Sequence, residues 1–213
     1  MDLDWQKLDN YNQMFQQWKA ELFPRGEYAH RNECCFAFAH LLAKKAKEQG
    51  MLPLKIWCLK SYDADHVQAK FPADNANGFE TRDWQGYHVA LAVDLPIYKN
   101  SQKTERLVFD PIVYDAPVRE KDWQKALNSG EPYIMYSGCK FGKEAAQDTS
   151  FFDGSGYWLD KDPTMDLDRH ARLHIKTIKC PEGKQATQLK SPLMILSNIA
   201  KRKDLSHSAG HSR

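Results

Sequence analysis

The run Tyr87-His88-Val89-Ala90-Leu91-Ala92-Val93-Asp94-Leu95 is apolar, rich in strand-forming residues, and contains a single imidazole. A segment of this kind belongs in a sheet. A histidine inside it is either a satisfied core or edge residue, or a base held on a rigid element. A second β-rich segment covers residues 106–110 and ends in Val108-Phe109-Asp110-Pro111. The polar stretch between them, residues 98–104, suits a hairpin connection.

Helical patterns come before these strands. Trp5, Leu8, Tyr11, Phe15, Trp18 and Leu22 recur at three- and four-residue steps over residues 3–23, and Pro24-Arg25-Gly26 breaks the pattern. A second helix is predicted from an N-cap at Asn32 to about Gln49, with Gly50 as its stop. Residues 54–59 alternate as a strand, and the polar, Asp-, Asn- and Gly-containing residues 62–82 read as a long loop. A short helix is expected around Trp123, with β segments at 133–136 and 173–178. An amphipathic helix over 189–203 and a disordered tail over 204–213 complete the reading. Helix, helix, then strands is the order of an α+β domain.

Composition narrows the function. Lysine and arginine number 30 against 28 acidic residues, so the net charge of +2 gives no basic footprint for nucleic acid. No apolar run reaches the length of a membrane span. Met1-Asp2-Leu3-Asp4-Trp5 lacks the basic and apolar regions of a Sec signal, which leaves a cytosolic protein or one exported by a specialised route. Cysteines 34, 35, 58, 139 and 180 are odd in number and irregular in spacing, so reduced thiols are expected rather than a disulfide framework or a zinc site.

One of those thiols has a reactive setting. If Asn32 caps the second helix, Cys35 lies in its first turn, where free N–H groups and the helix dipole favour a thiolate. The competing reading makes Cys34 and Cys35 small buried hydrophobes. The two side chains point about 100° apart around the helix, so only one can face a given site. If the 87–95 and 106–110 strands pair, Asp110 comes beside His88 and can accept its ring N–H, leaving the other nitrogen for sulfur. Elsewhere, His170 and His174 have metal-ligand spacing without the glutamate of a zinc-protease helix, and no Gly-rich phosphate loop is present. Lys201-Arg202-Lys203 reads as a solvated helix end.

Three segments together resemble the bacterial protein glutaminases, which deamidate glutamine side chains in folded proteins. They are Cys35-Phe36-Ala37-Phe38-Ala39-His40, then Trp84-Gln85-Gly86-Tyr87-His88-Val89-Ala90, then Val108-Phe109-Asp110-Pro111. The likeness continues through Tyr98-Lys99-Asn100 and Val118 to Trp123, and fades beyond about residue 138. It departs from the family pattern by one extra residue between the tryptophan and Tyr-His, and by the long 62–82 segment.

The resemblance implies a papain- or transglutaminase-like α+β core, with the nucleophile at a helix N-terminus packed on an antiparallel sheet. It implies Cys35 as nucleophile, in preference to Cys34, with His88 as base and Asp110 as orienting acid. Trp84 and Tyr87 are expected to contact substrate, and neither metal nor cofactor is needed. The expected partner is a protein with an accessible glutamine, and the expected role is that of an effector or toxin. The implied divisions are an N-terminal helical segment (1–27), a catalytic domain (28–183) and a C-terminal helix with tail (184–213). A transglutaminase, a cysteine protease and a non-catalytic binding module are the alternatives.

Overall fold

The computed structural model describes residues 2–29, 34–60, 66–72, 79–127, 133–141, 166–178, 188–198 and 201. Helix α1 (Trp5–Leu22) starts where the Asp4 side chain accepts a hydrogen bond from the Lys7 N–H. That contact satisfies one of the free donors of the first turn. Its stripe of Leu8, Phe15 and Trp18 is buried, as the periodicity predicts. Phe15 and Trp18 close on Phe109, with ring centroids 5.5 and 5.8 Å away.

Helix α2 (Cys35–Glu48) begins with Cys34 at the N-cap, whose side chain makes no capping bond. The expected cap, Asn32, lies outside the described residues. Cys35, Phe38, Ala39, Leu42 and Ala46 are all buried, at the spacing of one helix face. Gly50 ends the helix at φ +77°, a left-handed conformation that suits glycine.

That helix packs on the sheet strand carrying the imidazole. The sheet is built from β1 (Leu54–Leu59), β4 (Tyr87–Pro96), β5 (Thr104–Phe109), β6 (Val118–Arg119) and β7 (Tyr133–Gly138). Their order is β6-β5-β4-β1-β7, and every neighbouring pair is antiparallel. Along β4, residues 88–93 are all buried, which explains why this strand reads as an almost unbroken apolar run. Two further helices are α3 (Glu120–Ala126) and α4 (Leu167–Thr177). The chain is thus α+β with an antiparallel sheet. Among the described residues, no helix is long and apolar enough to cross a membrane.

Three expectations change. Residues 62–82 are not simply a loop, because β2 (His66–Pro72) and β3 (Phe79–Gln85) pair as an antiparallel two-stranded sheet. Buried Val67 and Ala69 alternate with half-buried Gln68 and exposed Lys70, a period of two overlooked among the neighbouring polar residues. Residues 173–177 are helical, not β. They finish α4, which starts at an Asp166 cap and buries Leu167, Ala171 and Ile175 at four-residue steps. The expected 189–203 helix is shorter at its start, where Leu189 forms a bridge with Tyr114 and residues 192–198 are helical. The expected tail, 204–213, lies outside the described residues.

Helices α2 and α4 are joined by a buried polar contact. His40 Nε2 donates to Asp168 Oδ1 at 2.7 Å, and Lys44 also bonds Asp168. Burial pulls the His40 pKa down to about 4, with the positive charges of Lys55 and Lys44 adding to the effect, against the upward pull of Asp168. The folded chain therefore refuses a proton that the unfolded chain binds below about pH 6.5. Stability is expected to fall as pH drops from about 6.5 towards 4, by up to about 3 kcal/mol. Urea unfolding across this window checks it: the slope should be present in the parent and absent in His40→Asn.

Candidate active site

Residue 35 is the first helical residue of α2, so its backbone N–H has no partner within the helix and the positive end of the dipole lies at its thiol. The thiol is 3% exposed. Cys34, Cys58 and Cys139, like Cys35, form no disulfide among the described residues. Cys58 lies across from His88 in the β1–β4 register.

His88 is the second residue of β4 and is fully buried. Asp110 immediately follows β5, and the two strands are antiparallel neighbours, as the hairpin reading requires. The His88 Nε2–H donates to Asp110 Oδ2 at 2.7 Å. Burial works against a charge on the ring, but the Asp110 charge and hydrogen bond, with a contribution from Cys35, push its pKa up to about 9. The other nitrogen, Nδ1, is buried and makes no hydrogen bond of ordinary geometry. Cys35 nonetheless acts on the ring, raising its basicity.

Asp110 both ends a strand and starts a turn. Oδ1 accepts from the backbone N–H groups of Ile112 at 3.0 Å and Val113 at 3.3 Å. Oδ2 accepts from His88 and from the Trp123 indole N–H, each at 2.7 Å. Four donors thus hold a carboxylate that is 1% exposed.

Trp123 is the site residue that sequence reasoning missed. It was visible only as the centre of α3, but a lone large aromatic in Glu-Lys-Asp-Trp-Gln-Lys marks the one face that can be buried. Its ring stacks on His88 at 5.9 Å, with planes 26° apart. Trp123→Phe, which keeps the packing and removes the N–H, is expected to lower stability by about 1.5–3 kcal/mol, the range for a hydrogen bond to a charged group. Chemical denaturation of the two proteins measures the difference.

The two residues expected to touch substrate are placed differently. Trp84, on β3, is 2% exposed, and its ring centroid is 4.0 Å from that of His88. Its indole N–H is buried without a hydrogen-bond partner among the described residues. Tyr87 is half-buried, with its ring 5.5 Å from Trp57. The extra residue that sets this chain apart from the family pattern falls beside Gly86, which has φ +81° and accepts the Lys60 N–H through its carbonyl. This left-handed glycine makes the bend between β3 and β4, and Trp84 reaches the imidazole.

A thiol at a helix N-terminus, a buried imidazole and a carboxylate saturated with donors are the parts from which acyl-transfer sites are made. His170 and His174 lie one turn apart on α4, where His174 packs edge-on against Phe36, and no metal-binding cluster of three or more side chains occurs among the described residues. Comparison with curated proteins and with solved structures finds no match. The sequence model of a glutaminase family matches residues 11–127, which contain α1 from Tyr11 onward, Cys35, β1–β6 and α3. With more than half of its length matched, and the resemblance of its three motifs thereby supported, the chain belongs to this family of glutaminases, the glutamine deamidases.

Proposed function

We propose that the chain deamidates glutamine side chains of proteins through a thioester on Cys35, with His88 as acid and base and Asp110 as the group that orients His88. The buried His88–Asp110 bond at 2.7 Å, on the ring that Cys35 also acts on, carries this reading. A helix-borne thiol packed on an antiparallel sheet supports the transglutaminase- and papain-like comparison.

His88 takes the Cys35 proton, a transfer favoured by the raised basicity of the ring. Sulfur attacks the γ-carboxamide carbon, and a C–S bond forms as the carbonyl π pair moves onto oxygen. The Cys35 backbone N–H faces that oxyanion, and one such donor is worth about 3 kcal/mol. The tetrahedral species collapses, the C–N bond breaks, and His88 gives its proton to the departing nitrogen, which leaves as ammonia. Neutral His88 then removes a proton from water, and the hydroxide attacks the thioester. C–S cleavage returns the thiolate–imidazolium pair and leaves glutamate. Asp110 holds the ring in one orientation throughout, and half-exposed Tyr87 lies where substrate can meet it.

The product carries a new negative charge and lacks an amide donor, which can disable a buried or interfacial site. An effector or toxin role follows naturally from that chemistry. The experiment is to incubate the parent and Cys35→Ser proteins with glutamine-containing proteins, with and without a primary amine. Ammonia and intact mass are followed together. The parent should release ammonia and raise substrate mass by the amide-to-acid difference, without chain cleavage or amine incorporation. Chain cleavage would instead identify a protease, and amine incorporation a transglutaminase.

A further inference from the structure

The reaction above leaves one buried aromatic side chain unused. Trp84 and His88 are 2% and 0% exposed, their ring centroids are 4.0 Å apart, and their planes are inclined by 32°. An indole face is electron-rich and attracts a cation, most strongly where water is excluded. Trp84 comes from β3 in the small sheet, whereas His88 belongs to the large one. The Gly86 bend therefore folds the small sheet back over the imidazole.

We infer that Trp84 is a positioning residue whose π face favours His88 as the imidazolium, the form that gives its proton to the departing nitrogen. This rests on the proposed roles of Cys35 and His88. The ionisable groups acting on the ring are Asp110, from the end of β5, and Cys35, from the start of α2. Across the strand register β1 offers the Cys58 thiol, and β3 and α3 offer the uncharged rings of Trp84 and Trp123. Each indole can stabilise a charged imidazole and gains nothing comparable from a neutral one.

The test replaces Trp84 site-specifically with progressively fluorinated tryptophans, which keep the indole shape while draining its face of electron density. The basic limb of the pH profile is read in ammonia release. The limb should move down stepwise along the series, by about one pH unit in total. An isosteric benzothienyl analogue, which keeps the π face but lacks the N–H, should leave the limb where it is.

A limb that stays fixed along the fluorine series overturns the inference, whatever happens to the plateau. A benzothienyl shift as large as that of the most fluorinated ring also overturns it, because the N–H would then be the active feature. Trp84→Leu should reproduce the full shift. If that variant does not fold, the isosteric series still decides. Continued ammonia release by Cys35→Ser would defeat the proposed chemistry itself. A silent Cys35→Ser with an unmoved limb would remove only the role of Trp84.

Discussion

Ammonia release is expected to fall by about 10⁴-fold or more when Cys35 becomes alanine, because removal of a nucleophile eliminates the covalent route and leaves only binding and oxyanion contacts. Folding should survive, since the thiol is small and alanine is the best helix former for the first turn of α2. Cys34 is the internal control. Its side chain makes no capping bond and it lies outside the proposed Cys35–His88–Asp110 chemistry, so Cys34→Ala should retain most of the activity. Steady-state ammonia release by both variants decides the point. Equal losses would mean that helix geometry rather than sulfur chemistry had been disturbed. The reverse order, with Cys34→Ala dead and Cys35→Ala active, would move the nucleophile by one residue.

Asp110 is expected to produce the second-largest effect, and it should separate into two parts. Asp110→Ala strips an acceptor from His88, Trp123, Ile112 and Val113 together. Leaving such groups buried and unpaired is expected to cost about 3–5 kcal/mol of stability, visible as a lower urea midpoint. Asp110→Asn keeps the shape and one carbonyl acceptor but turns amide hydrogens towards groups that are themselves donors. Its stability loss should be smaller, while activity still falls by about 10³–10⁴-fold, because the imidazole loses its fixed tautomer and its counter-charge. The pH profile supplies an independent readout. Without the carboxylate, burial acts on His88 almost unopposed, so the basic limb near pH 9 should move sharply down. An Asp110→Asn protein with the parent's profile would show that the carboxylate does not govern the ring.

The path from sequence to site was clearest where one physical signal dominated. β4 is buried along nearly its whole length, so its apolar residues announce it, and the imidazole stands out against them. The β4–β5 pairing followed from a short polar connection, and it was this pairing that brought Asp110 to His88. The β2–β3 pair was hidden because its alternation is short and flanked by Asp, Asn and Gly. In α4 the three buried residues are spread across a charged helix, and its last residues on their own mimic a strand. Trp123 was found as part of a helix but not as part of the site. Its contact with Asp110 depends on how α3 docks, which no local pattern encodes. Trp84 is expected from the sequence as a substrate contact. Its burial against the ring, rather than at a surface, is a tertiary outcome.

The left-handed bend at Gly86 has a wider consequence. Trp84 rides on the strand that ends at this bend, so the backbone angle at residue 86 sets how the indole lies over the imidazole. A side chain that resists φ +81° there would tilt the small sheet and carry that ring away from the base.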